Sequence, residues 1–204
     1  MITYGAISPH PPIILPSIGS KDDLKLVKKT INALERTGEN LAKEKPDEIV
    51  IISPHPEHGF YVPLYYLGKK MPKKTKISKI LVTNPSYQYY FDKGRKLAEK
   101  QKNNQKNIAV ISSGDLSHVL KEDGPYGFNP AGPKLDKIII EAVKNNDPEK
   151  LLKINPEILE EGAECGLRSI LFLMGTIPKA KTKILSYEGP FGVGYLVAEF
   201  KKSI

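Results

Sequence analysis

Three short apolar runs constrain this chain more than any other feature: "ITYGAIS" (2–8), "DEIVIIS" (47–53) and "NIAVISS" (107–113). Each has the length of a strand, and the last two lack the polar alternation of a sheet with one wet face. Such runs suit strands buried on both faces, as in a largely parallel sheet covered by helices. The segments between them have helical character. "LKLVKKTINALERTGENLAKE" carries Leu24, Val27, Ile31, Leu34 and Leu41 near helical spacing. Ser20 ahead of it is a suitable N-cap, with Asp22 and Asp23 placed where negative charge favours the helix dipole. "YQYYFDKGRKLAEKQKN" and "GPKLDKIIIEAVKNN" predict two further helices, and "DPEKLLKI" a short one capped by Asp147 with Pro148 at its first position. "GAECGLRSILFLMGTI" predicts a buried helix, while "KISKILVT", "KTKILSYE" and "VGYLVAEF" predict strands. This alternation predicts one α/β domain over residues 1–204, a three-layer α/β/α sandwich on a mixed, largely parallel sheet.

Composition narrows the function classes. No stretch approaches the roughly 18 apolar residues of a membrane span, and "MITYGAIS" has no basic leader, so neither a span nor a signal peptide is expected. The single cysteine, Cys165, excludes an intrachain disulfide and fits a reducing cytoplasm. The net charge of +8 comes largely from lysine, as in "KKMPKKTKISK" (69–79) and "KAKTK" (179–183). Basic charge alone is a weak sign of nucleic-acid binding, and no motif of that kind accompanies it. Nucleic acid is therefore not an expected partner.

The chemistry lies in the histidines. All four follow a β-like run: His10 in "AISPHPP", His55 and His58 in "IISPHPEHGF", and His118 in "SSGDLSH". In open α/β sheets ligands bind beyond the carboxyl ends of strands, so these loops are expected to gather at one edge. Imidazole is the commonest protein metal ligand. The prolines on either side of His10 and His55 restrict the backbone and help fix each ring. Two histidines and a carboxylate suit non-haem Fe(II). Glu164, in "EEGAECGLRS", is the candidate carboxylate, because it opens an otherwise apolar helix where an unpaired charge is costly. The same residue is spaced to pair with Arg168, four residues on. Asp115 could cap a turn after Gly114. The glycine-rich "GPFGVG" lacks a P-loop lysine and reads as close backbone packing.

"AISPHPPIILPSIG", "IISPHPEHGF", "SSGDLSHVL" and "GAECGLRSILFLMG", in that order, resemble the catalytic subunit of class III extradiol ring-cleavage dioxygenases (LigB-like). That is the protocatechuate 4,5-dioxygenase β-subunit superfamily. The closing "LSYEGPFGVGYLVAEF" is similar to the subset associated with AMMECR1 and Memo-like proteins. The resemblance implies Fe(II) held by His10, His55 and Glu164, with His118 as acid/base and His58 and Asp115 orienting the site. It implies a small aromatic diol and O2 as substrates. In Memo-like relatives a cysteine in a similar Cys-Gly-Arg context replaces the carboxylate, so Cys165 competes with Glu164, and a thiolate favours Zn or Cu(I). Two other functions fit the same residues: a zinc-dependent hydrolase with His118 as base, and a regulatory metal-binding protein acting with an AMMECR1-like partner. A homodimer is expected only as the commonest assembly.

Overall fold

In the computed structural model, which describes residues 1–202, the chain opens with strand β1 (Ile2–Ser8) and a 3-10 turn (Pro12–Ile14). Helices α1 (Lys21–Leu26) and α2 (Lys28–Lys43) lead to β2 (Glu48–Ser53), and α3 (His58–Leu67) leads to β3 (Lys76–Leu81). Helix α4 (Tyr87–Gln101) precedes β4 (Ile108–Ser113). The chain continues through α5 (Ala131–Asn145), α6 (Pro148–Leu152), α7 (Pro156–Gly162) and α8 (Leu167–Thr176), and closes with β5 (Lys181–Glu188) and β6 (Tyr195–Lys201).

The six strands form one sheet in the order β3-β2-β4-β1-β6-β5. Strands β3, β2, β4 and β1 are parallel, and β6 pairs antiparallel with both β1 and β5. The sheet is thus mixed and largely parallel, as the apolar runs predict. Strand alternation sorts the side chains into two cores. Ile49 and Ile51 of β2 pack with Leu34 and Leu41 of α2 and Phe60 and Val62 of α3. Val50 and Ile52 pack on the other face with residues of α5 and α8, among them Ile139, Leu167 and Leu171. Both faces are sealed over the central strands, which explains why β2 and β4 are apolar along their length, while the edge strands β3 and β5 carry exposed lysines. Among the described residues, no helix is long and apolar enough to cross a membrane.

Four local features differ from the sequence reading. The expected first helix is broken at Val27, whose φ and ψ are −104° and 21°. Its start follows the expected chemistry: Ser20 and Asp23 form a reciprocal capping box. Helix α3 is absent from the sequence expectation, because it is apolar on most sides and holds Pro63, which reads as a breaker. Helix α7 is also additional and is capped by Asn155. The expected buried helix begins at Leu167, and Glu164 and Cys165 lie in the turn before it, after Ala163 in the left-handed region at φ 48°.

Helices α4 and α8 approach backbone to backbone. A Cβ on Gly94 would lie 2.1 Å from the Phe172 carbonyl oxygen, and one on Gly175 would lie 2.4 Å from that of Phe91. Glycine at these positions sets where α8, and the turn that precedes it, sits on the sheet. Gly94→Ala is expected to destabilise the protein by about 1–3 kcal/mol through overpacking. In urea unfolding the midpoint should fall with the slope unchanged.

Candidate metal centre

Strands β2, β4 and β1 are adjacent and parallel, and their carboxyl ends are level: Ser8 pairs with Ser113, and Ile52 with Ser112. Each strand ends in a short polar turn, so the three histidine-bearing loops leave the sheet side by side. After β2, the Ser53 hydroxyl accepts from the His55 amide at 3.1 Å and donates to the His55 carbonyl at 2.9 Å. This local bond holds the Ser-Pro-His turn. Glu57 then adopts φ 51° and ψ −100°, and α3 starts at His58. The reversal brings His58 back beside His55. Their ring centroids lie 5.3 Å apart, and His10 completes a near-equilateral triangle at 5.2 Å from His55 and 5.3 Å from His58. One nitrogen from each ring falls within 4.8 Å of the other two.

The orientation of His10 follows from the backbone of α3. Pro63 has no N–H, so the carbonyl of Gly59, four residues earlier, lacks its usual helical donor. The Ser113 hydroxyl donates to that carbonyl instead. A hydroxyl has one proton, so Ser113 Oγ, 2.9 Å from His10 Nδ1, acts toward the ring as an acceptor. His10 therefore carries its proton on Nδ1, and Nε2 presents its lone pair to the cluster. The His10 amide donates to Asp115 Oδ1 at 3.0 Å, which fixes the loop itself. Burial, then the charges of His55, His58 and His118, push the His10 pKa down to about 3. Burial and the His58 charge also lower that of His55. A neutral imidazole is the form that binds metal.

A second group shares His10. Cys165 Sγ lies 3.7 Å from His10 Nε2, and Asp115 Oδ2 lies 3.9 Å from the same atom. The three donor atoms lie within 4.8 Å of one another. The Asp115 amide donates to Cys165 Sγ at 3.3 Å, and the Gly166 amide donates to the Asp115 carbonyl at 2.9 Å. These contacts require two glycines, since a Cβ on Gly114 would lie 2.3 Å from Gly166 Cα. Burial raises the pKa of both the Asp115 carboxyl and the Cys165 thiol.

The structure does not bring Glu164 to this cluster. Its side chain is 2% exposed and turned toward α4 and α8. It accepts from the Tyr87 hydroxyl at 3.1 Å and from the Leu167 amide, which caps the first turn of α8. Arg168 Nη1 stands 3.9 Å from Glu164 Oε1, the i,i+4 pairing that the sequence allows. An inward-facing ligand at Glu164 requires that this residue begin the helix, whereas α8 starts at Leu167. In the preceding turn, neighbouring side chains diverge, and Cys165 is the one that meets His10.

His118 stands beside the cluster. Its Nδ1 bonds to the Ala163 carbonyl, its amide donates to the same oxygen at 3.2 Å, and its ring meets Tyr126 edge-on at 5.4 Å. The carbonyl can only accept, so His118 also presents Nε2 as the free nitrogen. Its loop is laced to the glycine-rich segment after β5. Leu116 donates to Gly194 at 2.8 Å, Gly194 to Ser117 at 2.8 Å, and Leu120 to Gly192 at 3.0 Å. The "GPFGVG" run thus packs backbone to backbone against the His118 loop. Asp136 on α5, 1% exposed, accepts from the Ser117 amide at 2.8 Å and from the Tyr187 hydroxyl at 2.5 Å. The sequence reading passes over Asp136, Ser113 and Pro63. An acid on the apolar face of "KLDKIII" is the one signal that could have drawn attention to the first.

The model of the family described as "catalytic LigB subunit of aromatic ring-opening dioxygenase" matches residues 56–198, and the chain belongs to that family. The match includes His58, Asp115, His118, Glu164 and Cys165, while His10 and His55 precede it. Protein CA_C1420 of Clostridium acetobutylicum is 29% identical over 264 aligned residues, covering 95% of this chain and 56% of that protein. The chain thus spans about half the length of this relative. The fold is shared with uncharacterized protein JW3007 from Escherichia coli K12, with a TM-score of 0.63, 14% identity, and coverage of 97% of this chain and 99% of that one.

The donors fit a metal ion, because one nitrogen from each of three imidazoles converges within 4.8 Å, with the His10 Nε2 lone pair oriented by Ser113 and a carboxyl and a thiol beside it. Ser113→Ala removes the group that sets the His10 tautomer. Metal affinity is expected to fall about 10–100-fold, measured by chelator competition. In the metal-free protein the His10 ring resonances should not titrate between about pH 8 and pH 5, since protonation is displaced to about 3. A histidine NMR titration checks this.

Proposed function

We propose that His10 and His55, with His58 completing the set, hold a metal ion at which a small aromatic diol is opened beside its hydroxyls by O2. The convergence of three imidazoles at 5.2–5.3 Å, in a chain of the ring-opening dioxygenase family, carries this reading. Fe(II), when bound, would supply Lewis acidity toward the diol and a centre through which the diol, the species oxidised, passes electrons to O2. His118 takes a phenolic proton at Nε2 and later returns it, while the Ala163 carbonyl holds Nδ1 and keeps the ring in one tautomer. Asp115 orients the centre through the His10 amide, and its buried carboxyl, 3.9 Å from His10 Nε2, would supply compensating negative charge to a bound cation. The Glu164 carboxylate serves α8 and Tyr87 in this reading, and it is not a ligand.

One observation favours a second reading. Cys165 Sγ stands 3.7 Å from His10 Nε2, where a thiolate would recruit a softer ion such as Zn or Cu(I). A centre of that kind suits a hydrolytic role, or a metal-binding role shared with an AMMECR1-like partner.

Anaerobic loading of metal-free protein with Fe(II), followed by catechols and air, separates the readings. Dioxygen uptake with a ring-opened product is expected for wild type. His118→Ala should keep the metal and lose at least about 10²-fold in turnover. His55→Ala should lose the metal. Glu164→Gln should retain stoichiometric metal, and loss of metal in that variant would restore the carboxylate as a ligand. Tight Zn or Cu binding that depends on Cys165, without uptake on any diol, would establish the second reading.

A further inference from the structure

At the opposite end of β1 from His10 lies a cavity of about 470 Å³ that the metal centre does not use. It opens between α4, the last turn of α8 and the Asn146–Pro148 corner. Its volume is in the range that encloses a small organic molecule. The deep side is apolar: Ile2, Met174 and Ile177 are each at most 5% exposed, and Phe91 flanks them. The mouth is cationic. Among the described residues, Arg95, Lys102, Lys179 and Lys202 line it, with one carboxylate, that of Glu99.

The cations at this mouth differ from the general lysine coat. The chain has only three arginines among its 31 basic residues, and one of them, Arg95, stands here. Arginine is the side chain suited to bidentate recognition of a carboxylate or phosphate. Arg95 is 67% exposed; its guanidinium lies 6.0 Å from the Phe91 ring centre and forms a loose, solvent-exposed ion pair with Asp92 at 3.8 Å that is too long for a hydrogen bond. Its fork of donors is therefore available, next to an apolar wall. An apolar interior below an available guanidinium and further ammonium groups is complementary to a molecule with a hydrocarbon body and an anionic head.

We propose that this cavity is a second ligand site, selective for small amphipathic anions that bury an acyl or aryl body against Ile2, Met174 and Ile177 and present a carboxylate or phosphate to Arg95 and Lys102. The site is independent of the metal reading, since it sits at the other edge of the sheet.

Calorimetric titration of the full chain with decanoate, with decyl phosphate and with decanol tests it. Saturable binding of one or both anions at one site is expected, with decanol at least about tenfold weaker. The stronger anion identifies the preferred head group. The double variant Arg95→Glu/Lys102→Glu changes exposed residues and should weaken anion binding by at least about tenfold. Ala98→Trp should close the cavity and abolish binding, and His55→Ala should leave it unchanged. Amide NMR shifts on titration should centre on the 174–179 turn and α4. Absence of saturable binding by either anion, equal affinity for decanol, or indifference to the charge-reversal variant would overturn the proposal.

Discussion

The Ser113 hydroxyl holds the centre together. Pro63 deprives the Gly59 carbonyl of its helical donor, and Ser113 supplies the missing proton. Having given its only proton, Ser113 can face His10 Nδ1 only as an acceptor. A defect in one helix thus decides which nitrogen of a histidine on another loop is free. The link spans β4, α3 and the turn after β1, and each of these brings another site residue with it. His58 begins α3, Asp115 follows β4 by two residues, and His10 follows β1 by two.

The electrostatics are consistent with that arrangement. Burial, and then the charges of the neighbouring imidazoles about 5 Å away, disfavour protonation of His10, and burial with the His58 charge does the same at His55. His10 is therefore held in its neutral, metal-binding form over the range in which exposed histidines begin to charge, and His55 is shifted in the same direction. Asp115 and Cys165, whose burial favours their protonated forms, complete a pocket with room to release protons when a cation arrives. The loop bearing His118 is braced separately, by the glycines before β6 and by Asp136, so its ring faces the cluster from a different support.

Much of this was legible in the chain. The double-sided burial of β1, β2 and β4 is written in their apolar runs, and with it the sandwich and the edge at which the histidines emerge. The Ser20 cap, the α6 start at Asp147-Pro148 and the backbone role of "GPFGVG" were equally readable, because each depends on residues close in sequence. Helix α3 was not, since an apolar helix containing proline shows neither amphipathic period nor permitted composition. Without α3, His58 reads as a loop residue that orients the site, whereas the helix places its ring with those of His10 and His55.

The sequence by itself determined the fold class, the family and the set of side chains at the sheet edge, because hydrophobic periodicity and strand-end placement are local properties. Tertiary structure alone decided which of them share a point. Glu164 and Cys165 are neighbours in the chain, and no pattern distinguishes which of them faces inward. The left-handed turn at Ala163 and the backbone contact of Gly114 with Gly166 send Cys165 to His10 and leave Glu164 to Tyr87 and Arg168. That choice depends on how closely two backbones 52 residues apart can approach, a long-range packing constraint that local sequence does not encode.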